Sequence, residues 1–131
     1  KFTAQSETIA DHYEAREYSK AMRAVMLLAD EANRYIEQKK PWVMAKDEAQ
    51  LSEVQDVCTQ GLNMFRALMV YLTPVVPFLA SDAREFFLED EWDWTSAEKP
   101  LLGQAVARFK PLITRVEQAQ VDKIIEESKQ V

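Results

Sequence analysis

The stretch YSKAMRAVMLLADEANRYIEQKKPWVMAK, residues 18–46, decides the fold because it contains a long helical pattern that stops at a proline. Its apolar and small residues recur three or four positions apart, at Ala21, Met22, Val25, Leu28, Ala29, Ala32 and Ile36. That spacing places them on one face of an α-helix. The residue before a proline avoids helical angles, so the helix must end before Pro41. It can begin at Ser6 or Glu7, with a bend allowed at Glu14–Arg16.

A second stripe with the same spacing follows and predicts a second helix, for which Asp47 and Gln50 form a plausible start. Its apolar residues are Leu51, Val54, Cys58, Leu62, Phe65, Leu68, Met69 and Leu72. Pro74 and Pro77 then interrupt the pattern, and either proline can lie in the first turn of a third helix. That helix carries Leu79, Ala83, Phe86 and Phe87.

Helical periodicity is lost beyond Glu89. Residues 92–96 predict a loop, residues 112–116 allow one short strand, and a last amphipathic helix follows, with Glu117 in its first turn and Val121, Ile124 and Ile125 on its apolar face. We therefore predict an all-α, up-and-down bundle of about four or five helices, with at most one minor strand near Leu112. The leading core candidates are Leu27, Leu28, Leu62, Phe65, Leu68, Met69, Phe78 and Phe86.

Length and composition restrict the possible classes of protein. A chain of 131 residues suits one domain, residues 1–131. No apolar run approaches the roughly 20 residues that span a bilayer, and residues 1–10 lack the apolar stretch of a signal peptide, so we expect a cytoplasmic protein. The net charge of -6 argues against nucleic-acid binding by bulk attraction, so any RNA contact must be local. Cys58 is the only cysteine and is predicted to fill the core.

The residues that catalysis requires are scarce. His12 is the only histidine and is expected to face water, as is the acidic cluster Glu89, Asp90 and Glu91. Metal-ligand spacings and glycine-rich phosphate loops do not occur in the sequence. We therefore expect no catalytic residue, no metal site and no cofactor in this chain.

The corner that begins at Pro41 is the most informative segment for function. Lys39 and Lys40 end the first long helix, and Trp42 and Lys46 follow, four residues apart. If they share a helical turn, an aromatic ring and an ammonium group lie together, as base stacking with a phosphate contact requires. The alternative hypothesis is that Trp42 covers the core and the lysines are merely solvated.

Several separated motifs, in one order along nearly the whole chain, resemble the anticodon-binding domain of methionyl-tRNA synthetases. They are A-N-x-Y-I-x-x-x-x-P-W-x-x-x-K at residues 32–46, G-x-N-x-F-R at 61–66, Y-L-T-P-V-V-P at 71–77, P-L-L-G at 100–103 and P-L-I-T-R-V-E at 111–117. The leucyl, isoleucyl and valyl synthetases share the helical architecture and remain alternatives. So does a helical protein-interaction module that uses Trp42, Trp92 and Trp94 as anchors.

The resemblance implies that the chain recognises the CAU anticodon of methionine tRNA. Trp42 matches the tryptophan that stacks on the first anticodon base, and Lys46 matches a lysine close to the anticodon. Pro41 and Asn33 belong to the same motif and are included among the expected RNA-binding residues. The family also uses acidic residues on the preceding helix to reject wrong anticodons, and Asp30 and Glu37 occupy those places.

The resemblance also implies a fragment of a larger ligase. The family's further anticodon-contacting Asn and Arg and its catalytic signatures are absent from this sequence. The parent enzyme would join methionine to tRNA with ATP, while this chain alone would not be catalytic. Its expected partners are methionine tRNA and the catalytic domain of the same enzyme, with no membrane or DNA. Because the family's chain end folds back towards the catalytic domain, part of the stripe at Val121, Ile124 and Ile125 is expected to be exposed.

Overall fold

The computed structural model describes residues 1–130, and most of them are helical. The α-helices are α1 (Ser6–Glu14), α2 (Tyr18–Lys39), α3 (Pro41–Met44), α4 (Leu51–Leu72), α5 (Pro77–Phe87) and α6 (Gln118–Ser128). Short 3₁₀ turns lie at Thr3–Gln5, Glu48–Gln50 and Trp94–Glu98. Residues 1–130 contain no β-strand. The predicted all-α class is therefore confirmed.

The centre of the fold is the antiparallel pair of α2 and α4. Each helix has 22 residues and so is about 33 Å long. They are close together at Gly61, where an added β-carbon would lie 2.9 Å from the Cδ1 atom of Ile36. Nearer the end of α2, the Lys39 ammonium group lies 3.8 Å from a carboxylate oxygen of Glu53. The motif glycine therefore permits close packing of the two long helices.

The helices α1 and α5 extend the bundle on either side. A bend at residues 15–17, where Arg16 has a φ of 59°, folds α1 back along α2. The Tyr13 hydroxyl then donates a 2.7 Å hydrogen bond to the Tyr71 carbonyl oxygen. Helix α5 runs antiparallel to α4, and the rings of Phe65 and Phe87 lie 5.9 Å apart. The predicted up-and-down order and the bend are both found.

The core is densest around the second half of α4, where residues 66–71 are all buried. A helix buried on every face must be surrounded, and here α1, α2, α5 and the turn at residues 94–98 contribute neighbours. Tyr71 is fully buried, and its hydroxyl donates to the Phe2 carbonyl oxygen at 2.9 Å. Residues 51–65 of α4 bury only Val57 and Met64.

The predicted core residues are partly correct. Leu28, Leu68 and Met69 are buried, and the half-buried residues are Leu62, Phe65 and Phe86. The prediction that Leu27 and Phe78 lie in the core was wrong, since they are 60% and 88% exposed. Helix α2 buries Ala21, Val25 and Leu28, a narrower stripe that leaves Leu27 outside. Helix α5 buries Ala80, Ala83 and Phe87, and Phe78 lies on the opposite face.

Cys58 was wrongly placed in the core. Its side chain is exposed, and the adjacent Val57 is buried instead. A step of one residue along an α-helix turns the side chain by about 100°, which moves it from the buried face of α4 to the exposed one.

The segment after α5 is more ordered than the sequence predicts. Trp94–Glu98 forms a 3₁₀ turn, which Asp93 caps by accepting a hydrogen bond from the Ser96 backbone. Trp92 and Trp94 are half-buried against the core, and the Trp94 indole donates to the Ser6 carbonyl oxygen at 3.0 Å. Neither tryptophan is available as the exposed anchor that the protein-interaction hypothesis requires.

Glu89 was wrongly predicted to be solvated. Its carboxylate forms a two-point ion pair with Arg66, and it also accepts the Trp92 indole hydrogen bond at 2.7 Å. The Arg66 guanidinium group further donates to the carbonyl oxygens of Ser96 and Lys99, at 2.7 and 2.9 Å. The buried arginine thereby fastens the segment after α5 to α4.

The short strand that the sequence allows at residues 112–116 does not form, and these residues are irregular and mostly exposed. A strand needs an extended partner, and residues 1–130 provide none. This region is held to the bundle by a hydrogen bond from the Ala107 amide to the Phe86 carbonyl oxygen, at 2.8 Å, and by Leu112 against the core.

Helix α6 forms where predicted but is not buried. Glu117 is its N-cap and exchanges capping hydrogen bonds with Gln120, so it lies just before the first turn rather than within it. Val121, Ile124 and Ile125 are 38%, 66% and 48% exposed, as expected for an apolar stripe without a partner here. None of the helices described has the length and apolar character needed to cross a membrane.

Candidate RNA-binding site

The chain turns sharply at Lys40, which joins α2 directly to α3. The Lys40 amide donates to the Ile36 carbonyl oxygen at 2.9 Å and so closes α2. Its own carbonyl oxygen accepts hydrogen bonds from the amides of Val43 and Met44, at 2.8 and 3.2 Å, and so opens α3. This double role requires the left-handed backbone of Lys40, with a φ of 49° and a ψ of 59°. We call residues 40–46 the α2–α3 corner.

Trp42 projects from this corner into solvent. Pro41 is half-buried and occupies the first turn of α3, where its missing amide costs nothing. Trp42 is 57% exposed and the adjacent Val43 is 51% exposed. This exposure excludes the hypothesis that Trp42 covers the core. It leaves a flat aromatic surface available to a ligand.

Lys46 is exposed at the end of the corner, although the expected helical turn from Trp42 to Lys46 is incomplete. Helix α3 ends at Met44, and the Lys46 amide donates to Val43 at 3.2 Å, one residue short of an α-helical bond. The backbone therefore tightens between the two residues.

Asp30, Asn33 and Glu37 are three exposed positions on the second half of α2. Their spacings of three and four residues place them on one helical face, as expected. The structure thus presents two acidic side chains and an amide on the helix that leads to the α2–α3 corner.

The charge around the corner has the opposite sign to that of the whole chain. Residues 34–46 carry four cationic side chains, Arg34, Lys39, Lys40 and Lys46, and one carboxylate, Glu37, whereas the net charge of the chain is -6. Asp47, which follows, caps the next turn by accepting hydrogen bonds from the Ala49 amide and the Gln50 side chain. The corner itself, residues 40–46, contains two lysines and no carboxylate, with the exposed indole between them.

Two features, one at the corner and one just before it, were not predicted. Lys39 lies 3.8 Å from Glu53, so its ammonium group faces α4. Lys40 has a left-handed backbone, for which the sequence did give an indication. A helix that must stop before Pro41 while a new one starts at that same proline leaves one residue to reverse the chain.

Residues 1–130 contain no group of three His, Cys, Asp or Glu side chains that could hold a metal ion. The corner itself offers stacking, positive charge and hydrogen bonding, which are the means of binding single-stranded RNA.

The match to known proteins agrees with this geometry. Residues 1–130 match the family model described as the anticodon-binding domain of methionyl tRNA ligase, and the chain belongs to that family. This distinguishes it from the leucyl, isoleucyl and valyl relatives.

A particular relative is the methionine–tRNA ligase of Psychrobacter sp. (strain PRwf-1), which is 52% identical over 124 residues. The match covers 95% of this chain and 18% of that ligase, so the chain spans less than a fifth of its relative's length.

Proposed function

We propose that this chain recognises the CAU anticodon of methionine tRNA, with the first anticodon base stacked on Trp42. The observation that carries the proposal is the exposure of Trp42 at the α2–α3 corner, while Trp92 and Trp94 are half-buried. An indole that is more than half exposed, on a chain of this family, has a surface that a base can cover.

The neighbouring residues receive separate roles in this proposal. Lys46 contacts the RNA backbone next to the stacked base, and Pro41 fixes the direction from which Trp42 projects. Asn33 provides an amide that can donate to or accept from a base edge. Asp30 and Glu37 repel the phosphates of a loop that enters in the wrong position.

The chain would perform this role as part of a methionine–tRNA ligase. The amino acid and ATP would be bound by a catalytic domain outside this sequence, and the anticodon-binding chain would need no cofactor of its own. The exposed stripe of α6 offers a surface for that domain. We place the ligase in the cytoplasm, with tRNA as its nucleic-acid partner rather than DNA and with no membrane partner.

The experiment is to replace Trp42 by alanine in the full-length ligase and to measure binding to a CAU anticodon stem-loop. Base stacking on an aromatic side chain contributes about 1–3 kcal/mol, so the affinity should fall roughly five- to 150-fold. Thermal unfolding should remain unchanged because the side chain is exposed.

The matched control is Phe78→Ala. Phe78 is a more exposed aromatic, at 88%, and it lies at the start of α5, at the end of the bundle opposite the corner. Its removal should leave RNA affinity unchanged. Equal affinities of Trp42→Ala and the unsubstituted ligase for the CAU loop would contradict the proposal.

A further inference from the structure

Lys40 is one of three non-glycine residues with a positive φ among residues 1–130, and its side chain has no assigned role. The others are Arg16, at 59°, and Leu88, at 57°. A β-carbon makes this conformation unfavourable, so glycine is the usual residue at such helix ends. From the backbone conformation alone, glycine would therefore be the expected residue at position 40. The lysine that occupies this position needs a different reason.

The side chain of Lys40 is free to bind a ligand. Lys40 is exposed, and it forms no salt bridge within residues 1–130. Lys39 differs, because its ammonium group lies near Glu53. Of these two adjacent lysines, Lys39 lies near a carboxylate of the bundle and Lys40 forms no salt bridge within residues 1–130.

We propose that Lys40 is a further RNA-contacting residue whose ammonium group binds a phosphate of the loop that stacks on Trp42. The inference rests on the proposed function. A nucleotide whose base covers the indole brings its flanking phosphates to the same corner, and Lys40 is two residues from Trp42. Because the chain carries a net charge of -6, a local cation is needed where the phosphates approach. Phosphate contacts position the RNA without distinguishing bases, so Lys40 strengthens binding to any loop that docks here.

The structure provides a matched pair of variants to test this role, Lys40→Gly and Arg16→Gly. Each removes one positive charge and one β-carbon from an exposed residue with a positive φ. Arg16 precedes α2 and Lys40 follows it, so the two sites are separated by a helix about 33 Å long. Both should be made in the full-length ligase, and binding should be measured to a CAU stem-loop and to the same stem with a changed anticodon, across a range of salt concentrations.

Lys40→Gly should lower affinity for both loops by a similar factor, roughly fivefold near 0.1 M salt, as expected for one charge pair at about 4 Å in water. The slope of log affinity against log salt should become shallower by about 0.7, the value for one contact to single-stranded nucleic acid. Arg16→Gly should change neither quantity. Thermal unfolding should not fall in either variant, because glycine tolerates the left-handed backbone. Lys40→Arg should retain the affinity and the slope.

The proposal is overturned if Lys40→Gly keeps the original salt slope, or if Arg16→Gly changes the slope equally. The proposed function fails separately, when the unsubstituted ligase binds the CAU loop no better than the changed loop. In that case the salt slopes of the two glycine variants still decide whether Lys40 contacts phosphate. Absence of any RNA binding would overturn both proposals.

Discussion

The guanidinium group of Arg66 and the carboxylate of Glu89 form a two-point ion pair, in which both nitrogen–oxygen distances are 2.6 Å. Only 6% of the Arg66 side chain and 18% of the Glu89 side chain are exposed. The pair connects α4 to the segment that contains Trp92 and Trp94. A buried charge without its partner is costly, so each residue depends on the other.

Replacement of Arg66 by methionine should destabilise the protein strongly. It leaves the Glu89 carboxylate without a cation and the Ser96 and Lys99 carbonyl oxygens without their donor. The free energy of unfolding, measured in urea, should fall by about 3–5 kcal/mol. The double variant Arg66→Met/Glu89→Leu should recover part of that loss, because the unpaired charge is gone. A double variant no more stable than Arg66→Met would show that the charge is not the cause.

The same pair predicts how stability depends on acid. Burial raises the pKa of Glu89. Hydrogen bonds from Arg66 and Trp92 and the charge of Arg66 together lower the pKa by more than burial raises it, so the pKa in the folded protein lies below the ordinary value. The folded protein therefore binds fewer protons than the unfolded chain between those two pKa values. This stabilisation is complete at neutral pH and should be lost as the pH falls below roughly 5 towards the folded pKa.

Urea unfolding between pH 7 and pH 3 measures this acid dependence, and Glu89→Gln is the control. The variant lacks the titrating group, so its stability should decline less over the acid range. An identical decline in both proteins would mean that other carboxylates account for the whole effect.

Trp94→Ala should destabilise the fold far more than Trp42→Ala. The Trp94 ring lies 5.1 Å from the Tyr71 ring and 6.0 Å from the Tyr13 ring, centre to centre. Its loss leaves a cavity and should cost about 3–5 kcal/mol of unfolding free energy. Loss of the exposed Trp42 side chain should lower the unfolding free energy by no more than about 0.5 kcal/mol. Urea unfolding of both variants decides this, and a large loss for Trp42→Ala would mean that its packing matters more than its exposure indicates.

Asp30 and Glu37 should affect discrimination between anticodons more than they affect affinity for the CAU loop. In the ligase that contains Asp30→Asn and Glu37→Gln, binding to stem-loops with wrong anticodons should rise roughly fivefold for each charge that no longer repels a phosphate. Binding to the CAU loop should change less, so the ratio of the two affinities should fall. Glu14→Gln serves as the control, because Glu14 is an exposed acid at the end of α1, before α2 begins. An equal change for the control would indicate a general charge effect.

The long helices could be predicted from sequence because their patterns repeat over several turns. Ala21, Val25 and Leu28 define one face of α2 whichever neighbour covers it. The width of a buried stripe, by contrast, depends on the number of elements that pack around the helix. The sequence does not contain that information locally, which is why Leu27 and Cys58 were wrongly placed in the core.

The irregular segment was the hardest part to predict. Trp94 is half-buried because its indole reaches the Ser6 carbonyl oxygen, a contact between residues 88 positions apart. Glu89 is paired because Arg66 faces it from α4. Periodicity cannot reveal such pairs, since Trp94 and Glu89 lie outside the regular α-helices. For the proposed site, the sequence left two hypotheses for Trp42, and the structure adds that its side chain is 57% exposed.

The exposure of α6 should determine how fast its amide hydrogens exchange with solvent. It has 11 residues and buries none of them, and a lone helix shorter than about 12–15 residues is only marginally stable in water. Its amides should therefore exchange through local opening, at nearly the rate of an unstructured peptide. The amides of residues 66–71 should exchange only when the bundle unfolds. We therefore expect two cooperative units of unequal stability, and a denaturation curve that follows the bundle should not detect the loss of α6.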